Sequence, residues 1–428
     1  MRSPAANSGA MAWLPWAAAA LFYAYGFFQR VAPGVMVDDL MREFAVSAAI
    51  IGQLSGLYFY TYAALQVPIG ILLDRYGPRA VIATAALLCA AGAALFGWAP
   101  SLTEAYLGRL LIGAGAGVSW IGALYVASHT LPVNRFASVA GLTQALGMLG
   151  AIGAQAPLAA MVQGFGWRAT MLWSALAAAL IAVLFFFAAG RGAARTQGAQ
   201  DRPPLLASLG TVVRDPRTWI LGAYTATVTG PFLSFGGLWG VPYLMQAHGY
   251  SRPAAALAMS AMLVGWGTGA PLAGWISDRL GRRRPVMLAG SIAALCGWLL
   301  LLTLPNLPPA ALVVLLGGLG MTGGVMFLAF TVGRDAAPAN AAGTMSGVIN
   351  TLTMAAGALM QPIVGLLMDW QWDGVMAAGV RVYSAATFER AFICFPLLSL
   401  CGIVLVALMR EAPRPAAAIT GETRRISS

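Results

Sequence analysis

The chain has 428 residues, of which 59% are hydrophobic and only 9% charged, with a mean hydropathy of +0.77. A soluble domain carries roughly 25% charged residues, so most of this surface must face lipid, which excludes a soluble enzyme or scaffold. The net charge of +11 comes entirely from arginine, and those arginines are scattered over short loops. That dispersion argues against a nucleic-acid face and makes the charge a topology signal.

A membrane-crossing helix needs about 20 mainly apolar residues. In chain order such stretches fall at 11–33, 48–69, 80–98, 105–129, 138–162 and 168–190. A second series follows at 218–245, 253–275, 285–304, 310–332, 343–368 and 389–410. The first stretch, preceded by Arg2, resembles a secretory signal, but eleven further apolar segments follow and it is expected to remain as the first span. Residues 191–217 are polar, with Arg191, Arg195, Arg202, Arg214, Arg217 and Pro203-Pro204, and cannot cross lipid. The expected fold is therefore an all-α membrane protein with twelve transmembrane helices in two pseudo-symmetric six-helix bundles. The N-terminal bundle covers 1–190, a cytoplasmic linker 191–217, the C-terminal bundle 218–410 and a cytoplasmic tail 411–428.

Orientation follows from the loop arginines. With both termini cytoplasmic, that side holds eighteen, the other side five (Arg42, Arg168, Arg252, Arg381 and Arg390), and Arg30 and Arg109 lie within helices. The cysteines Cys89, Cys296, Cys394 and Cys401 all fall in apolar stretches without metal-ligand spacing, so reduced core residues are expected and no metal or cofactor is implied.

Two copies of a short charged turn lie 204 residues apart. The first runs Gly70-Ile-Leu-Leu-Asp74-Arg75-Tyr-Gly77-Pro-Arg79 and the second Gly274-Trp-Ile-Ser-Asp278-Arg279-Leu-Gly281-Arg-Arg283. Helices 5 and 11 also match at a shift of 206: Gly141 with Gly347, Gln144 with Asn350, and Gln155 with Gln361. The repeated turn resembles the loop between the second and third helices of major facilitator superfamily transporters, which recurs in both halves. The stretch from Tyr58 to Pro68 resembles a bacterial group related to lysosomal dipeptide carriers, and also parts of the organic-anion and nitrate porter branches. The resemblance implies parallel repeats with a substrate site near the midplane between them. It also implies a gating role for Gly70, Asp74, Arg75, Gly77, Gly274, Asp278, Arg279 and Gly281, which lock the halves on the cytoplasmic side. The bland alternative is that these residues only end helices and set topology. Arg109, followed by Gly113, Gly115 and Gly117, resembles the intramembrane arginine motif of the family's fourth helix; the alternative is an interfacial arginine reaching headgroups.

Arg30 bears most on the solute. Tyr23 and Arg30 are two turns apart and share a face of the first helix, and an arginine there resembles the anion-contacting arginine of organophosphate and organic-anion carriers. Guanidinium is always charged and offers a planar fork to carboxylate or phosphate; otherwise Arg30 contacts lipid or pairs with Asp38 or Asp39. Gln144 and Gln155, with Asn350 and Gln361 repeating their spacing, serve either the cavity or interhelical bonds. Tyr58, Tyr62 and Tyr224 are aromatic candidates for substrate contact, against the alternatives of packing or an interfacial belt.

No Asp or Glu falls mid-span, where proton-driven carriers usually keep a titrating carboxylate. His129 and His248 fall at or beyond helix ends, and Gly153-Ala-Gln155-Ala-Pro157 lacks the Gly before Pro of drug-exporter signatures. The expected function is secondary active or facilitative transport of a small polar organic solute, an anion or a zwitterion such as a dipeptide, by alternating access. Efflux of amphipathic drug-like compounds is the alternative, and a transport-dead membrane sensor the reading from another class. The expected partners are the solute and the lipid bilayer, with no nucleic acid, in a monomer of a bacterial inner membrane.

Overall fold

The computed structural model describes residues 13–132, 135–189, 205–304, 307–338, 341–377 and 379–409. Most of the expected linker, the tail 411–428 and the first twelve residues lie outside them. The helices of the first half are α1 (Leu14–Val31), α2 (Val37–Phe44), α3 (Ala48–Trp98), α4 (Leu102–Thr130), α5 (Phe136–Gly153) and α6 (Ala156–Ala188). In the second part come α7 (Leu205–Arg214), α8 (Pro216–Pro231), a π-helical stretch Phe232–Trp239, α9 (Gly240–His248) and α10 (Arg252–Leu280). Then follow α11 (Arg284–Thr303), α12 (Pro309–Gly323), α13 (Met326–Ala336) and α14 (Ala342–Trp370). A two-residue hairpin of β1 (Met376–Ala377) and β2 (Val380–Arg381) leads to α15 (Ala385–Phe392) and α16 (Cys394–Leu408). Several helices place proline in their first turn, as at Pro157, Pro216 and Pro309, where the missing N–H has no intrahelical partner to lose.

Eight helices among the described residues are long and apolar enough to cross a membrane, and nine if the bent pair Val37–Phe44 and Ala48–Gln66 forms one span. Their outer faces carry Leu176, Phe187 and Val314 in exposed positions, as a lipid-facing surface requires. Cys296 and Cys401, expected in the core, are exposed on this surface instead; only Cys89 is fully buried.

The segment boundaries differ from expectation where charged residues tolerate helix. α3 has 51 residues, about 76 Å at 1.5 Å per residue, far more than a hydrocarbon core of ~30 Å. Its helical geometry breaks only at Gly77, with φ 78° and ψ 158°. Helix runs straight through Asp74, Arg75 and Tyr76, so the loop expected over 70–79 shrinks to one left-handed residue. In the second copy Gly281 ends α10 with φ 64°. Both positions need glycine because a side chain is strained there. The expected helix 5–helix 6 turn likewise becomes a break at Gly166 inside α6. The expected span 310–332 is interrupted between α12 and α13, and α7 lies within the expected linker 191–217.

The two halves repeat their internal packing. α1 packs on α4 and α5, while α8 packs on α13 and α14; α3 packs on α6, while α11 packs on α16. The halves meet chiefly along α3 and α14, which run antiparallel. A Cβ on Gly52 would meet the Gln361 carbonyl oxygen at 2.5 Å, and one on Gly365 the Ala48 oxygen at 2.4 Å. Only bare backbones approach this closely.

That contact lies at the end opposite the repeated turns, and polar bonds reinforce it. Asp369, near the end of α14, accepts hydrogen bonds from Ser47 Oγ at 2.6 Å and the Ala49 amide at 3.0 Å. Its other oxygen accepts from the Tyr383 hydroxyl and from Arg381 Nη1 at 3.2 Å. The Tyr383 oxygen in turn accepts from the Ala48 amide at 3.0 Å. Burial, and then the bond to Asp369, push the Tyr383 hydroxyl up from its ordinary pKa, so it stays a donor. A carboxylate from one half thus caps the first turn of a helix in the other. Arg252 and Asp39 form a second cross-half pair at 2.6 Å.

Candidate functional site

Between the halves lies a cavity of about 450 Å³, within the usual range of ~300–1,000 Å³ for small-molecule sites. It extends from Arg30 and Met354 to Gly343 at the start of α14, the end that carries the repeated turns. The opposite end is sealed by α3 against α14.

Arg30, Tyr23, Tyr62, Gln144 and Asn350 all line this cavity. α1 supplies Arg30 from its last turn. The guanidinium carbon lies 4.3 Å from the Phe27 ring centre, 5.1 Å from Tyr62, 5.7 Å from Tyr58 and 5.8 Å from Phe59. Four rings offering their electron-rich faces stabilise a cation without neutralising it. No carboxylate pairs with Arg30 among the described residues, and its Nε has no hydrogen-bond partner. Arg30 is 4% exposed and the expected alternatives, lipid contact or pairing with Asp38 or Asp39, do not occur. Tyr23 donates to Gln144 Oε1 at 2.8 Å, linking α1 to α5. Asn350 donates to Gln66 Oε1 at 3.3 Å, a link across the halves.

Three expected contact residues are elsewhere. Tyr58 is fully buried and donates to the Gly26 carbonyl at 3.0 Å; it backs Arg30 without lining the cavity. Tyr224 is fully buried in the second half and donates to the Met287 carbonyl at 3.4 Å. Gln361 is fully buried and donates to the Leu233 carbonyl at 3.0 Å. Gln155, its counterpart in the repeat, donates to the Gly236 carbonyl at 3.4 Å. Both amides therefore serve the π-helical stretch, whose altered bonding frees carbonyls that must find partners in a membrane interior.

Arg109 is 1% exposed, so it does not reach headgroups. Its Nη1 donates to the Gln29 carbonyl at 2.9 Å and its Nη2 to the Ser55 carbonyl at 3.2 Å, tying α1 to α3 behind the cavity. In the repeated turns, Gly70 and Gly274 sit in open space. Arg75 lies 5.3 Å from the Tyr76 ring and Arg279 4.0 Å from Trp275. The turns end differently: Arg79 donates to the Phe186 carbonyl at 2.9 Å, whereas Arg283 forms an ion pair with Asp335 at 2.5 Å.

The lining also includes Trp120, Trp266, Phe327 and Phe330, which sequence reasoning missed. Single aromatics in apolar helices carry no signal of what they face. Gln66 was within reach, since a glutamine in a span needs a partner.

The Major Facilitator Superfamily model matches residues 17–362, and again 240–427. The chain belongs to that superfamily of membrane transporters. Among its superfamily relatives, a gentisate transporter of Corynebacterium glutamicum is 24% identical over 358 residues, covering 82% of this chain and 80% of that protein. A probable nitrate/nitrite antiporter of Thermus thermophilus is 27% identical over 262 residues, 59% of this chain and 58% of its own length. A probable sulfoacetate transporter of Cupriavidus necator matches over 148 residues at 25% identity, 35% of this chain and 34% of that one. The fold matches an inward-facing, unoccupied bacterial homologue of the human lysosomal transporter Spinster, with TM-score 0.75 and 16% identity over 94% of this chain and 97% of that one. A nucleoside transporter matches with TM-score 0.76 at 13% identity, over 92% and 98% of the two chains.

Proposed function

We propose that this transporter moves a small organic anion by alternating access, and that Arg30 is its anion contact. The observation that carries the reading is Arg30 itself: the one charged residue lining the cavity among the described residues, buried, and without a carboxylate partner. An uncompensated guanidinium in low dielectric attracts an anion strongly. A zwitterion would bring an ammonium group, and no carboxylate among the described residues lines the cavity to receive it. Gentisate, sulfoacetate and nitrate, named for the relatives, are all anions.

The arginine distribution supports a cytoplasmic turn end, so the conformer described here opens inward. The domain division at 190 and 218, twelve crossings and a gating role for the turns around Asp74 and Asp278 belong to the same reading, as do a monomer and an inner-membrane location. Closure at the cytoplasmic side would bring the turns to bear and release the Asp369 contacts.

The test is uptake of gentisate, sulfoacetate and nitrate into proteoliposomes. A charge-assisted hydrogen bond contributes roughly 1.5–3 kcal/mol, so Arg30→Lys should weaken apparent affinity about 10-fold and Arg30→Ala at least as much. Lys retains the charge but not the fork. Equal affinities in the three proteins would remove Arg30 from the site.

A further inference from the structure

Gln144 and Asn350, matched in the repeat, both line the cavity, and each is bonded through one end of its amide only. Gln144 Oε1 accepts from the Tyr23 hydroxyl at 2.8 Å. That orientation gives the Tyr23 proton an acceptor, which it has nowhere else among the described residues. It leaves both Nε2 hydrogens of the half-buried Gln144 without a protein partner among them. Asn350 is bonded the other way round: its Nδ2 donates to Gln66 Oε1 at 3.3 Å, and its Oδ1 has no donor among the described residues. Gln66 has no hydrogen to spare, because its Nε2 donates to the Tyr62 and Gly117 carbonyls. The cavity therefore offers an uncharged donor on α5 and an uncharged acceptor on α14. The donor lies close to the anion contact. The Arg30 guanidinium reaches back along α1 to the Phe27 ring at 4.3 Å, and that ring lies 4.9 Å from the ring of Tyr23, whose hydroxyl holds Gln144.

We infer that the preferred solute carries a hydroxyl a few carbons from its anionic head, with the head at Arg30 and the hydroxyl accepting from Gln144 Nε2. Tyr23 is the positioning residue that turns the amide. The inference rests on the anion reading above and concerns affinity: anions without the hydroxyl still bind at Arg30, only more weakly. A hydroxyl suits the site because it accepts from Gln144 and keeps a proton for an acceptor such as Asn350 Oδ1. A second carboxylate suits it less. Arg30 is the one cation among the described lining residues, so a further charge would leave water without a partner. A methyl in place of the hydroxyl leaves the amide hydrogens facing carbon, and a neutral hydrogen bond is worth roughly 2- to 12-fold in affinity.

The experiment titrates the purified full-length protein with three pairs of acids that exchange a hydroxyl for a methyl. The pairs are lactate and isobutyrate, 3-hydroxybutyrate and 3-methylbutyrate, and 4-hydroxybutyrate and pentanoate. Binding is read by tryptophan fluorescence, since Trp120 and Trp266 line the cavity. In at least one pair the hydroxy acid should bind about fivefold tighter. In Gln144→Met, which keeps the length but cannot donate, that ratio should fall to near one. Tyr23→Phe should also lower it, by freeing the amide to turn. Binding of the methyl acids shows that each variant is folded. Ratios near one in all three wild-type pairs, or a ratio that survives Gln144→Met, would overturn the inference while leaving Arg30 as anion contact. Isobutyramide, the uncharged counterpart of isobutyrate, separates the two readings. If it binds as well as isobutyrate, or if no acid binds, the anion reading falls and the hydroxyl inference with it.

Discussion

Replacing Asp369 by Asn removes the charge that holds the first turn of α3 against the second half. Two of its bonds cross the halves, from Ser47 Oγ at 2.6 Å and the Ala49 amide at 3.0 Å, and both must break before this end can open. The bond from Arg381 stays within the second half and survives opening. A hydrogen bond to a charged group is worth roughly 1.5–3 kcal/mol net of hydration. Because water replaces part of both cross-half bonds on opening, the expected shift is about 2 kcal/mol, or roughly 30-fold in the conformer ratio. The readout is a single reporter cysteine at Met354, which lines the cavity, in a background where Cys89, Cys296, Cys394 and Cys401 are replaced. An impermeant maleimide added from the outer side should label this site faster in Asp369→Asn by at least tenfold, and more slowly from the turn side. Unchanged labelling from both sides would refute the view that Asp369 holds that end shut.

Gly77→Ala and Gly281→Ala force a side chain into left-handed backbone and should each lower stability by about 1–2 kcal/mol, seen as a reduced melting temperature in detergent. Gly70→Ala, in open space beside the first of them, should melt with the wild type. Asp74→Asn should reduce transport strongly with normal amounts of protein in the membrane, and full transport would reduce the repeated turn to a topology signal. Gln361→Leu leaves the Leu233 carbonyl buried without its donor, a cost of about 1–3 kcal/mol; a smaller loss in melting than for Gln144→Leu, whose partner Tyr23 can reach water in the cavity, would contradict the structural role.

What could be read from the sequence was whatever repeats chemically or is costly to bury. The turn around Asp74 and Asp278 stands out because charge interrupts apolar runs at matched spacing, and Arg30 and Arg109 because a guanidinium inside a span needs an explanation. The sequence does not tell those two arginines apart. One faces a cavity and the other bonds two backbone carbonyls, and the difference resides in the helices around them. Tyr58, Tyr224 and Gln361 were misplaced for the same reason: each satisfies itself on the backbone of another helix, at Gly26, Met287 and Leu233. The aromatic lining of the cavity was illegible because Trp266 and Phe327 come from separate helices and meet only in the fold. The π-helical stretch around Gly236-Gly237, which recruits both Gln155 and Gln361, becomes apparent only in the fold.

The bare guanidinium at Arg30 has an electrical consequence. With neither a carboxylate nor a histidine among the described residues that line the cavity, nothing there takes up a proton to balance a bound monoanion, so an uncoupled cycle moves one net charge. Moving one charge through 100 mV changes the free energy by about 2.3 kcal/mol, equivalent to roughly a 50-fold ratio of solute concentrations. In a cell that is negative inside, that bias runs outward. Left to itself such a carrier would act as a rectifier for release, and accumulation inside would demand a counter-anion leaving or a cation entering with the solute.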